Sequence, residues 1–294
     1  MLTERFVSGN LQCGLGNQLF LMAAVFAHAK KHKRTPVISR DGANKHTKEK
    51  FGETVFSRFK KGTTKPDAKY NQSTVNTFTS KEVIPDKGSH LLINGLYMCE
   101  SYFEPYGREF VDSLVLPSMA DSPDACFIHV RRGDTLKGIF GMLYYVNLMQ
   151  RYIPRAIDLV RSKKGSSVKF HIFSDDLEWC RRQPLFQTPD FVFIDEKDPV
   201  RALTMMSKCV VGGICWNSTF SWWASYINPN PNKIVTMPLQ WSNWVPVDVW
   251  PSSAHIISNS DFVPYQSVAI GMTILFGVIC VVLISLLVFY ATKK

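Results

Sequence analysis

Residues 126–134 read Cys-Phe-Ile-His-Val-Arg-Arg-Gly-Asp, a mostly apolar run that breaks off at a pair of arginines. A short run of this kind, bounded by a polar turn, reads as a buried strand with two guanidiniums at its carboxyl end. The pattern recurs. Residues 168–176, Val-Lys-Phe-His-Ile-Phe-Ser-Asp-Asp, pass from strand into an acidic turn. Residues 191–194, 209–211 and 234–237 read as further strands, the second of them followed by Gly212-Gly213. Helical spacing of apolar residues fills the gaps. It covers residues 144–161, where Pro154 predicts a kink. Asp198-Pro199 is an N-cap followed by proline at the first helical position, opening a helix to about Ser207. Asn217 is expected to cap another helix through Tyr226. Strands alternating with helices specify an α/β domain with a mostly parallel sheet, whose ligands sit beyond the strands' carboxyl ends.

Upstream the pattern is sparser. Phe6–Leu11 reads as a strand, Cys13-Gly14-Leu15-Gly16-Asn17 as a turn, and residues 18–31 as a helix. Residues 91–95 give another strand, residues 40–90 look like long polar loops, and residues 116–124 a linker. The expected division is an N-terminal α/β lobe over residues 1–117 and a Rossmann-like lobe over residues 118–262.

Composition sets the outer bounds. With 294 residues, 46% hydrophobic and 20% charged, the chain is too apolar for intrinsic disorder. Its net charge is +10, and residues 1–70 hold 14 Lys and Arg against 5 Asp and Glu. The densest run, Lys30-Lys31-His32-Lys33-Arg34, suits a solvated helix C-terminus. No zinc-finger, KH or RRM signature points to nucleic acid. Seven cysteines without a C-x-x-C argue against a disulfide framework or a zinc site. Asn71-Gln72-Ser73 and Asn217-Ser218-Thr219 are sequons.

Residues 268–291, VAIGMTILFGVICVVLISLLVFYA, carry no charge. At about 1.5 Å per residue they are long enough to cross a hydrocarbon core of ~30 Å. The first ten residues contain Glu4 and Arg5 and no apolar core of a signal peptide. The expectation is a single C-terminal transmembrane helix with the larger part in the cytosol. Lys293 and Lys294 beyond the span argue for the opposite orientation under the positive-inside rule.

Four clusters can carry chemistry. His129-Val130-Arg131-Arg132-Gly133-Asp134 places forked cationic donors, suited to phosphate oxygens, at a strand end. Asn217-Ser218-Thr219 opens a helix, whose free amides make an anion site; Trp222 and Trp223 behind it read as core. Asp175 and Asp176 follow a strand and can accept hydrogen bonds from a nucleoside. Gly14 and Gly16, with Asn17, let a ligand approach the backbone, though the spacing is neither G-x-G-x-x-G nor a P-loop. No D-x-D triplet occurs to hold a divalent ion. Together the clusters suit a nucleotide diphosphate bound without a metal or other cofactor.

These clusters, in this order, resemble glycosyltransferase family 11, the α-1,2-fucosyltransferases. The resemblance rests on Gly14 to Phe20, His129 to Asp134, Phe173 to Asp176 and Asn217 to Ala224. It implies a two-lobed GT-B-like fold, GDP-L-fucose as donor, a galactose-type glycan as acceptor and an inverting transfer without metal. By position it makes Arg131 the pyrophosphate clamp and main catalytic residue, with Arg132, His129 and Asp134 in the same motif. Asp176 and His129 would contact guanine, Ser218 and Thr219 the β-phosphate, and Asn17 would line the donor site. Asp134 and Glu100 are the candidate bases. Animal members resemble N-terminally anchored proteins with a luminal catalytic part, so a C-terminal anchor sets a cytosolic location against a Golgi-luminal one. A non-catalytic, membrane-anchored nucleotide-sugar or glycan-binding protein is the alternative.

Overall fold

The computed structural model describes residues 4–41, 50–62, 65–73, 82–133, 136, 146–242 and 247–259. The expected span at residues 268–291 lies outside these, and among the described residues no helix is long and apolar enough to cross a membrane. Residues Met1–Asn259 form one compact unit and Ser260–Lys294 a second.

The first unit holds two parallel sheets. In the first, β1 (Phe6–Leu11), β2 (Thr35–Asp41), β3 (Lys60–Lys61), β4 (Ala68–Asn71) and β5 (His90–Asn94) take the order β3-β2-β1-β5-β4. In the second, β6 (Ala125–Val130), β7 (Lys169–Ser174), β8 (Phe191–Phe193), β9 (Gly212–Ile214), β10 (Ile234–Pro238) and β11 (His255–Ile257) take the order β11-β10-β9-β6-β7-β8. All pairings within both sheets are parallel. This is the pair of α/β lobes that the sequence implies, each with a topological switch point: β1/β5 in the first, β6/β9 in the second.

Helix α1 (Leu15–His32) joins the lobes. It is buried from Leu15 to Ala29 on nearly every side, as befits a helix sandwiched between two layers. Lys30, Lys31 and His32 end it, where cations favour the dipole. On one side Leu21 and Val25 lie against the bare α-carbon of Gly9 on β1. On the other, Phe20 meets Trp222 and Trp223 of α6 (Thr219–Ile227) at ring-centroid distances of 4.6 and 5.2 Å. Phe103, and Phe110 from α2 (Gly107–Ser113), pack on Trp223 at 5.4 and 5.6 Å. Each such pair adds roughly 0.5–1.5 kcal/mol beyond area burial. Both tryptophans are fully buried, so one aromatic core holds the lobes together.

The structure corrects several expectations. The helix expected over residues 144–161 is α3, Tyr152–Lys164. Residues 146–151 are not helical, and residues 144–145 lie outside the described ones. Pro154 sits in its first turn, where a missing N–H costs nothing, so it marks a start and not a kink. The strand expected at residues 209–211 is Gly212–Ile214: the glycines form the strand itself. A β-carbon on Gly213 would overlap the Phe127 ring, and one on Gly212 the Ile234 carbonyl, so β9 fits between its neighbours only without side chains. The cap of α6 is Ser218, not Asn217. Residues 40–90 contain β3 and β4 as well as loops.

Candidate functional site

The second sheet reverses its order between β6 and β9, which opens a crevice at their carboxyl ends. Sequence delivers a different group to each side. Strand β6 stops at Val130 and hands the chain to Arg131, which is half-buried. Strand β9 stops at Ile214 and leads through Asn217 into α6. Asn217 Nδ2 donates to the Trp241 carbonyl at 2.9 Å and fixes this turn. Ser218 Oγ accepts from the Phe220 amide at 3.3 Å, and Ser218 is buried.

The first lobe brings a second helix start to the same place. Gly14 precedes α1 with extended backbone (φ −69°, ψ 166°) and no side-chain cap. Gln18 Nε2 donates to the Cys13 carbonyl at 2.9 Å and holds the turn. Thr219 Oγ1 donates to Asn17 Oδ1 at 2.8 Å across the lobes. A β-carbon on Gly16 would lie 2.6 Å from the Phe220 nitrogen and from the carbonyl carbon and hydroxyl of Thr219. Gly16 is therefore what lets the starts of α1 and α6 touch. Each start carries roughly half a positive charge and unpaired amides. Two of them abutting beside the end of β6, the strand that runs on into Arg131, make a strong anion site.

The acidic pair does other work. Asp175 Oδ1 accepts from the Arg132 amide at 2.8 Å, and Oδ2 from the Gly133 amide at 3.0 Å. A β-carbon on Gly133 would meet Asp175 Oδ2 at 2.6 Å, so this glycine makes the capture possible. Asp176 caps α4 (Leu177–Arg181), accepting from the Trp179 amide at 3.0 Å, and receives Arg132 Nε at 3.1 Å. Partial burial pushes its carboxyl up, but that amide and the guanidinium together hold it below the usual carboxylate range. The Arg132 guanidinium also stacks on the Trp179 ring, 3.7 Å from the centroid. Arg132 is thus held by Asp176 and Trp179; Asp134 lies outside the described residues.

His129 points from β6 toward the Phe220 ring, 5.6 Å away. It is buried, and its Nδ1 has no partner among the described residues. Burial, and then the neighbouring Arg131 charge, push its pKa down to about 3. At neutral pH the imidazole is uncharged and serves as a hydrogen-bonding group only.

Glu100 is remote from this site. It accepts from the Ser252 amide at 2.8 Å and lies near Tyr226, at the far end of α6 from Ser218. At about 1.5 Å per residue the helix puts roughly 12 Å between them. Its burial raises its pKa, but it cannot act as a base at the crevice. Two supporting residues gave no sequence signal. Trp179 is one. Tyr152 is the other: its buried Oη donates toward the carbonyls of Cys215 and Thr236 at 2.7 and 2.8 Å, tying α3 to β9 and β10 just before the turn into α6.

Residues 114–244 match the model of glycosyl transferase family 11. The O-antigen biosynthesis glycosyltransferase WbnK of Escherichia coli is 24% identical, the alignment covering 79% of this chain and 93% of that protein. The chain is a glycosyltransferase whose second lobe is similar to family 11. An alpha-1,2-colitosyltransferase of E. coli is 27% identical over 45% of this chain and 46% of its own length. The bovine galactoside 2-alpha-L-fucosyltransferase SEC1 is 32% identical over 34% of this chain and 27% of its own. Among solved structures, the fucosyltransferase NodZ from Bradyrhizobium aligns with a TM-score of 0.49 at 16% identity, covering 77% of this chain and 94% of that one. The family match takes in β6 to β10 with Arg131, Asp175, Asp176 and Ser218. The glycosyltransferase's Gly14, Gly16 and Asn17 lie outside it.

Proposed function

We propose that the protein moves L-fucose from GDP-L-fucose to a galactose hydroxyl of a glycan, in α-1,2 linkage and with inversion. The observation that carries the reading is the abutment of the starts of α1 and α6 against the end of β6, where His129 meets Phe220 two residues before Arg131. That arrangement complements a doubly charged diphosphate, and complements it better as the glycosidic bond breaks. Negative charge then builds on the departing β-phosphate while the sugar acquires oxocarbenium character. Fixed donors aimed at that charge lower the barrier by about 3–4 kcal/mol each. Arg131 is the catalytic residue in this scheme. Thr219 presents its amide to the β-phosphate at a helix start that Ser218 caps, its hydroxyl being held on Asn17, while Gly14 and Asn17 border the site. Guanine falls to His129, whose Nδ1 is unpartnered, and to Asp176, whose side chain stays 37% exposed. Charge neutralisation by arginine and amides leaves no step that calls for a metal. Two of the three relatives' names carry an alpha-1,2 or 2-alpha linkage and one of these names fucose, which supports the linkage and the donor. Residues 268–291 are assigned as the membrane anchor, with the catalytic part on the cytosolic side.

Thermal protection by GDP but not by GMP is the expected signature of the diphosphate site. Arg131→Ala should lose that protection and lower kcat/KM by 10²–10³ while folding normally. An Arg131→Ala protein that turns over at the wild-type rate would remove the arginine from the mechanism.

A further inference from the structure

The carboxyl edge of the first sheet carries a row of amides that the donor site does not use. Its order reverses between β1 and β5, so this sheet has a ligand crevice of its own. Asn10, near the end of β1, donates from Nδ2 to Asn94 Oδ1 at 3.3 Å. Asn94, the last residue of β5, donates from Nδ2 to Asn71 Oδ1 at 2.9 Å. Asn71 is the last residue of β4, so the row crosses three adjacent strand ends, about 10 Å at ~4.8 Å per step. Both bonds run the same way. Asn10 Oδ1 is left as an acceptor end and Asn71 Nδ2 as a donor end, neither with another partner among the described residues. Asn71 is exposed, and Asn10 and Asn94 are half-buried.

The backbone behind the row is already fixed by other groups. Gln72 Oε1 accepts from the Leu96 and Tyr97 amides at 2.9 and 3.0 Å. Glu82 accepts from the Ser73 amide and Tyr70 Oη, each at 2.7 Å. The asparagine side chains are therefore not needed to hold the strands. Asn10 and Gly14 are four positions apart, at most about 14 Å of chain, so the row lies beside the start of α1. Its chemistry contrasts with the donor side. Arginine and helix amides select an anion; carboxamides, each with an acceptor and two donors, pair with neutral hydroxyls that both give and accept.

We propose that Asn10, Asn94 and Asn71 form the acceptor subsite and read the hydroxyls of an uncharged galactose-type sugar. The proposal rests on the fucosyl-transfer reading for the identity of that sugar. The test is calorimetric titration of lactose into the full chain, with and without GDP, alongside GDP thermal protection as a separate readout. Asn94→Ala should weaken lactose binding at least tenfold, and Asn71→Ala should weaken it too, with melting midpoint and GDP protection unchanged. Asn94→Asp, of equal size but without the donor, should not restore binding. Lactose held as tightly by Asn94→Ala and Asn71→Ala as by wild type overturns the inference; so does a wild type that ignores lactose while GDP protects it. Absence of GDP protection in the wild type sinks the donor reading by itself, and the lactose titration still decides the amide row. If Asn94→Ala does not fold, the exposed Asn71→Ala carries the same readout.

Discussion

Gly16→Ala isolates the contact on which the donor site depends. The added methyl would lie 2.6 Å from the Phe220 nitrogen and the Thr219 carbonyl carbon, both backbone atoms that no rotamer can move aside. Ordinary contact begins near 3.4 Å, so the starts of α1 and α6 must separate by about 0.8 Å. Overpacking of this kind costs about 1–3 kcal/mol. Stretching the Thr219–Asn17 hydrogen bond costs about 1 kcal/mol more. Alanine's better helix propensity returns up to ~1 kcal/mol. The net is a loss of roughly 1–3 kcal/mol, a melting-temperature drop on the order of 2–6 °C for a chain of this size. Activity should suffer more than stability, because displacing aimed donors by nearly 1 Å costs on the order of 10²-fold. Gly14→Ala is the internal control. No atom lies within 4 Å of the position its methyl would take and its φ is negative, so stability should change by less than ~0.5 kcal/mol. Differential scanning calorimetry and transfer kinetics on both variants decide the matter. Equal destabilisation by the two substitutions, or a fully active Gly16→Ala, would refute the reasoning.

Three further perturbations have worked signs. His129, with its pKa pushed down to about 3, stays neutral in the fold while the unfolded chain takes up a proton near pH 6.5. Stability is thus complete above pH 6.5 and declines as pH falls through 6.5 toward 3; between pH 7 and 5 the loss is about 2 kcal/mol. Urea unfolding at both pH values should show it, and His129→Gln should flatten the dependence. Asp175→Ala strips the acceptor from the Arg132 and Gly133 amides, and should cost about 1 kcal/mol because the carboxylate is exposed and water replaces it. Its kcat/KM should fall with Arg131's loop loosened, and Asp175→Asn should recover part of both; unchanged kinetics would detach Asp175 from Arg131. Tyr152→Phe removes a buried donor from the Cys215 carbonyl, while the Thr236 carbonyl keeps the Cys215 amide at 3.0 Å; the cost is about 1–3 kcal/mol, readable by chemical denaturation.

The sequence disclosed whatever was local. The run into Arg131 was legible because an apolar strand ending on a guanidinium is a pattern of a few neighbouring residues, and Asp198-Pro199 because a cap and a proline suffice to start a helix. Strand β9 was not legible. Gly212-Gly213 has the composition of a turn, and only Phe127 and Ile234, far along the chain, demand bare α-carbons there. Strand β3 was hidden for a related reason: it is two exposed lysines on a sheet edge, where charge deters unwanted pairing and no apolar period appears. The duties of Asp175 and Asp176 turn on their reach to residues 43 and 44 positions earlier, which no motif spacing encodes.

The same distinction separates the two halves of the reaction. The anion-binding groups come in short motifs because each is a strand end or a helix start, a unit that a handful of consecutive residues can specify. A neutral acceptor offers no charge to be met by such a unit, so its site must be assembled from single uncharged side chains. Asn10, Asn71 and Asn94 are such side chains, one per strand, brought side by side only by the order β1-β5-β4. An acceptor site built this way can change its specificity by single substitutions at strand ends without disturbing the donor motifs.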